Sequence, residues 1–213
     1  MLRALLLDLD GTLVLTEALH WEASRATMAR FGRAIDLDFY RRHIHGMANA
    51  DIAAAQFPGR EATDGAAYVA AKEQAFRDSL ATDVPTVPGA HALLDAARRA
   101  GLKLAIVTNA PRANAELLLR PYGGAAAFDA LVLGDELAFG KPHPLPYLEA
   151  MRLLGVSAGE SLGFEDSTSG LKAVAAAGVF AIGIGPAADE AALRAAASSN
   201  ASKASADKTS AHL

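Results

Sequence analysis

Apolar positions along the chain follow two alternating patterns. Five short runs stay apolar until their last residues: ALLLDLD (4–10), KLAIVTN (103–109), DALVLGD (129–135), SLGFED (161–166) and VFAIGIG (179–185). Runs of that length and aliphatic content predict strands buried on both faces. Separating or preceding them are GAHALLDAARRAG (89–101), PRANAELLLRPYGG (111–124), KPHPLPYLEAMRLLG (141–155) and SGLKAVAAAG (169–178). Each spaces its apolar residues as a helix does and carries a glycine at or just past its end. The alternation predicts an α/β fold, a Rossmann-like doubly wound parallel sheet covered by helices on both faces.

Residues 16–84 break this rhythm. TEALHWEASRATMARFG, DLDFYRRHIHG, NADIAAAQF and GAAYVAAKEQAFRDSLA are helical in pattern, with no convincing buried strand among them. We expect a small all-helical cap domain (16–84) inserted after the first strand of a core domain formed by 1–15 and 85–190. The connections are LVLT and DVPTVPG, the second stiffened into a hinge strand by Pro85 and Pro88. From Ala197 the chain reads ASSNASKASADKTSAHL, a low-complexity composition that predicts a flexible tail over 197–213.

Composition narrows the function. A chain of 213 residues with 52% hydrophobic and 21% charged content is that of a globular protein. Its net charge of -4 argues against a nucleic-acid surface and favours small-molecule chemistry. The sequence holds no cysteine, which excludes disulfides and thiolate metal sites. The N-terminal run meets Asp8 too early for a signal peptide, and the apolar stretch from Ala173 to Ala188 is broken by three glycines and Pro186. We expect a cytoplasmic monomer with no membrane or nucleic-acid partner.

Four of the five runs end in residues able to do chemistry: Asp8 and Asp10, Thr108 and Asn109, Gly134 to Glu136, and Glu165 and Asp166. In open α/β sheets ligands bind beyond the carboxyl ends of the strands, so these distant positions should converge on one site. Placing carboxylates at the end of a buried strand is costly unless something neutralises them.

DLDGTL closing the first strand, followed in order by VTNA, GKPHP and FEDSTSG, resembles the haloacid dehalogenase superfamily over residues 1–185. The helical insertion directly after the first motif resembles the branch holding β-phosphoglucomutase and many small-substrate phosphatases. In chemical terms Asp8 would be a nucleophile forming an aspartyl-phosphate, with Mg²⁺ between it and the phosphate oxygens. Asp10, turned to the same side by Gly11, would protonate the leaving alkoxide and later deprotonate water. Thr108 and Asn109 end their run where a hydroxyl and the backbone N–H groups beyond it would grip a phosphate oxygen, and Lys141 would neutralise Asp8 and the transferred phosphate. The resemblance implies that Asp166, Asp8 and the backbone carbonyl of Asp10 ligate Mg²⁺, with Glu165 acting through water. It also implies that dehalogenases lack the second aspartate, so Asp10 favours phosphoryl transfer.

In the insertion, Thr16 and His20 share a helix face near the active loop, and similar family members use a histidine here to reach the leaving group. Gly46 lets its loop approach the site. The mutase grips a second phosphate with a lysine and an arginine where this chain has His45 and Asn49. The expected function is therefore a Mg²⁺-dependent phosphatase acting on a small phosphorylated metabolite. A phosphosugar mutase, a dehalogenase and a non-catalytic binding protein are the alternatives.

Overall fold

The computed structural model describes residues 1–80 and 84–185. All five apolar runs are strands: β1 (Ala4–Leu7), β2 (Lys103–Thr108), β3 (Ala130–Leu133), β4 (Ser161–Glu165) and β5 (Phe180–Gly183). They form one parallel sheet in the order β3-β2-β1-β4-β5. The chain leaves central β1 for β2 and β3, then crosses to β4 and β5 on the other side. That reversal creates a crevice at the carboxyl ends of the central strands. Leu7, the last residue of β1, stands level with Ile106 and Phe164, so Asp8 enters the crevice as the strand ends.

Eight helices accompany the sheet among the described residues: α1 (Glu17–Arg30), α2 (Leu37–His43), α3 (Asn49–Gln56), α4 (Ala66–Ser79), α5 (Ala90–Arg99), α6 (Arg112–Leu118), α7 (Leu145–Leu154) and α8 (Thr168–Ala176). Successive β1 side chains point to opposite faces, and both faces are covered. Leu5 and Leu7 pack with Leu94 of α5 and Leu118 of α6, while Ala4 and Leu6 pack with Tyr147 and Met151 of α7 and Val174 of α8. Among the described residues, no helix is long and apolar enough to cross a membrane.

Helices α1 to α4 form the insertion and bury their own cluster of Met28, Tyr40, Ile52, Phe57 and Tyr68. Phe76 of α4 and Ala23 of α1 instead join the cluster on one face of the sheet, which seats the insertion over the strand ends. The two connecting segments pair with each other: Leu15 N–H donates to Pro85 O and Val87 N–H to Leu13 O, both at 2.8 Å, around a Val14–Thr86 antiparallel bridge. The helix expected over 111–124 stops at Leu118, three residues before Pro121, and continues as a single 3₁₀ turn. The tail expected over 197–213 and the core boundary at 190 lie outside the described residues.

Candidate active site

The floor of the crevice is built from the ends of β1 and β4 and the loop after β3. Lys141, only 2% exposed, donates from Nζ to Asp8 Oδ1 at 2.8 Å and to Glu165 Oε1. Tyr147 Oη also donates to Glu165 Oε1 at 2.5 Å, and Ser167 Oγ to its Oε2 at 3.3 Å. Glu165 is fully buried, with both oxygens engaged, so it holds the lysine in place. Asp166 completes the group: Asp8, Glu165 and Asp166 each bring a carboxylate oxygen within 4.8 Å of the others.

Three carboxylates against one ammonium leave this floor short of positive charge. Burial, followed by the charge of Glu165, pushes the Asp8 carboxyl well above the ordinary carboxylate range despite Lys141. Burial also raises Glu165, with Lys141 pulling the other way. For Lys141 burial would lower the pKa, but Asp8 and Glu165 outweigh it and raise it. Asp8 Oδ2 is buried without a hydrogen-bond partner. An orphaned carboxylate oxygen inside an oxygen-only cluster fits a hard divalent cation such as Mg²⁺. Asp8 and Asp166 are the carboxylates best placed to hold it.

Asp10 faces the other way. Its Oδ1 accepts from Thr16 Oγ1 at 2.7 Å and lies 3.0 Å from His20 Nε2, and its carboxylate is not part of the acidic cluster. Burial would raise its pKa, but the His20 and Thr16 bonds outweigh burial and lower it. Thr16 occupies the N-cap position of α1 without capping it, because its hydroxyl is turned to Asp10. His20 is further fixed by stacking on Phe76, ring centroids 3.7 Å apart. These two residues, expected to touch the leaving group, position Asp10 from the insertion side.

Close approach explains two glycines. Gly11 has φ 80°, and a Cβ there would overlap the Asp166 carboxylate. Gly46 has φ 69°, and a Cβ would lie 2.6 Å from Ser167 Oγ. A side chain at either position would lift the loop from the acidic cluster. With Gly46 seated, His45 Nε2 comes within 3.5 Å of Asp166 Oδ2. Burial lowers the His45 pKa, but Asp166, with Glu17 and Asp10 adding to it, outweighs burial and raises it, so the imidazole lends partial positive charge to the floor.

The Asn109 side chain ties two loops to the end of β2. Its Nδ2 donates to Gly46 O at 3.2 Å and Lys141 O at 3.0 Å, and its Oδ1 accepts from Lys141 N–H at 2.9 Å. Both amide hydrogens are committed to tying the insertion loop and the Lys141 loop to β2, so the side chain has no donor left for a phosphate. Thr108 Oγ1 accepts from Ala110 N–H at 3.0 Å and keeps its own hydroxyl proton for the pocket it lines.

The roof holds residues that the sequence reading missed. Lys72 and Glu73 of α4, each 6% exposed, line the same pocket. Lys72 Nζ donates to Asn49 Oδ1 at 2.9 Å and pairs with Glu73 Oε1 at 2.7 Å. Asn114 Nδ2 of α6 donates to Glu73 Oε2 at 2.5 Å, joining insertion and sheet layers. Asn49, expected to meet substrate directly, faces Lys72. The available signal was a Lys-Glu pair within AAKEQAF, a helix whose partners stand 23 and 41 residues away.

Comparison with known proteins gives this geometry a family. A model described as haloacid dehalogenase-like hydrolase matches residues 2–178. Protein CbbY of Rhodobacter capsulatus is 34% identical over 194 residues, covering 84% of this chain and 83% of that protein. The validoxylamine A 7'-phosphate phosphatase of Streptomyces hygroscopicus subsp. limoneus is 32% identical over 189 residues, covering 86% of each. The crystal structure of CbbY from Rhodobacter sphaeroides, in complex with xylulose-(1,5)bisphosphate, superposes with a TM-score of 0.77 at 32% identity over 89% of both chains. With the four motifs converging at the strand ends as in an α/β hydrolase of this kind, the chain belongs to the haloacid dehalogenase-like hydrolases.

Proposed function

We propose that the protein is a Mg²⁺-dependent phosphatase of a small phosphorylated metabolite, acting through an aspartyl-phosphate on Asp8. The observation that carries this reading is the unpartnered, buried Asp8 Oδ2 inside a cluster with more negative than positive charge. Relatives whose names state a phosphate-ester activity support the substrate class. When bound between Asp8 and Asp166, the cation supplies charge neutralisation for an anionic nucleophile meeting an anionic phosphate.

The chain's own residues do the rest. An Asp8 oxygen attacks phosphorus while the P–O bond to the leaving group breaks, and the departing oxygen takes a proton from Asp10. Asp10 then removes a proton from the water that attacks the acyl phosphate, restoring Asp8 and releasing inorganic phosphate. Lys141 stays bound to Asp8 and balances charge on the transferring group, held there by Glu165 and Tyr147. Without ligands the two aspartates are shifted apart in the order opposite to these roles, Asp8 upward and Asp10 downward. A divalent cation held by Asp8 and Asp166 would lower the Asp8 carboxyl, and a substrate phosphate near Asp10 would raise its carboxyl. The insertion, seated through Gly46 and His45, acts as the cap that excludes bulk water.

The test is phosphate release from phosphosugars and phosphoglycolate by wild type and Asp8→Asn, with Mg²⁺ and with EDTA. We expect metal-dependent release that falls at least ~10³-fold in the variant. Comparable release by folded Asp8→Asn would sink the aspartyl-phosphate route.

A further inference from the structure

We propose that the roof of this pocket selects a phosphate ester whose leaving group is uncharged and hydroxyl-bearing, and that Glu73 is the residue that turns away a second phosphate. The inference rests on the phosphatase reading and names the substrate class for the same site.

Among the described residues that line the pocket, Lys72 is the one lysine or arginine above the floor, and it is already compensated. Its ammonium is 2.7 Å from Glu73 Oε1, both side chains being less than a tenth exposed. Burial would raise the Glu73 pKa, but the charge and hydrogen bond of Lys72, with His20 and Asn114 adding to them, outweigh it and lower it, so a carboxylate faces the ammonium. A phosphate dianion approaching Lys72 would also approach the buried Glu73 carboxylate, and like charges in a poorly solvated site repel strongly.

Other basic groups do not restore the attraction. Arg41 Nε is bound to Glu17 Oε1 at 2.9 Å, and Arg42 pairs with Asp38. Both arginines line a separate pocket with Lys172, outside the His45–Met47 loop.

The same pair suits hydroxyls. An ammonium has three donors, of which Asn49 and Glu73 take two, leaving one N–H for a substrate oxygen. Each Glu73 oxygen has accepted one bond, from Lys72 and from Asn114, and retains a further lone pair. A sugar or polyol hydroxyl both donates and accepts, so it satisfies both partners. A phosphate dianion only accepts and would leave Glu73 facing a like charge.

The experiment compares kcat/KM for glucose 6-phosphate and glucose 1,6-bisphosphate in wild type, Glu73→Gln and Glu73→Gln/Lys72→Gln, each with Mg²⁺. A ratio measured within one preparation does not depend on how much of it is folded. We expect wild type to favour the monophosphate and Glu73→Gln to shift the ratio about tenfold or more toward the bisphosphate. The double variant should lose that gain, because it acts through the freed Lys72. Wild-type preference for the bisphosphate, or an unchanged ratio in Glu73→Gln, would overturn the role of Glu73 while leaving the phosphatase reading intact. No release from either ester or from the wider phosphoester panel would remove the phosphatase reading, and this inference with it.

Discussion

The site contains two buried lysines, and their surroundings differ. On the floor, Lys141 faces Asp8 and Glu165 with Asp166 close by, and one Asp8 oxygen has no partner. On the roof, Lys72 faces Glu73 alone among charged groups at ion-pair distance, and both are completed by asparagines. A charge-balanced pair in which each charged atom already holds a partner can persist through the catalytic cycle without help. An unbalanced cluster stores repulsion that a cation and a phosphate can relieve, and such imbalance is what shifts pKa values at reactive sites. On the proposed reading, the contrast separates chemistry on the strand ends from recognition on the inserted helices.

Four measurements would break or sharpen that contrast. Asp10→Ala should lower turnover by ~10²–10⁴-fold while Mg²⁺ still raises the melting temperature, because the side chain is outside the acidic cluster. Loss of the Mg²⁺ response in this variant would merge two functions that the geometry keeps apart. Lys141→Met should cost about 3–5 kcal/mol in denaturant unfolding without metal, since it leaves buried carboxylates uncompensated. A loss near zero would mean that Asp8 and Glu165 neutralise by protonation and that the floor tolerates imbalance.

Saturating wild type with Mg²⁺ at a hundredfold over its dissociation constant should add ~2.7 kcal/mol of stability, reversed by EDTA. The same titration on Asp8→Asn should give a smaller gain. Tyr147→Phe should have the mildest effect, about 1–2 kcal/mol, because Glu165 keeps Lys141 and Ser167 as partners. Chemical unfolding of the two proteins side by side checks it.

These regions also differ in how openly the sequence displayed them. Strand ends are local features: ALLLDLD and SLGFED put their carboxylates where an apolar run stops, and parallel topology brings such stops together. The Lys141 loop was legible for the same reason, through GKPHP after the third apolar run. Tyr147 was not, because an aromatic at a buried helix position reads as packing until its hydroxyl finds Glu165. Lys72 and Glu73 were hidden more completely. Adjacent charges on a helix ordinarily face water, whereas here Lys72 is met by Asn49 of α3 and Glu73 by Asn114 of α6, and both are buried. Asn109 was found, but nothing in VTNA shows that its amide joins Gly46 to Lys141.

Asn109 has one more consequence. A single amide joins the insertion loop at Gly46 to the backbone of Lys141, so the fit of the lid and the placement of the floor ammonium are mechanically linked. A guest too bulky to let Gly46 settle against Ser167 strips away one of the three bonds that fix Asn109. Size then registers in the speed of turnover as well as in affinity.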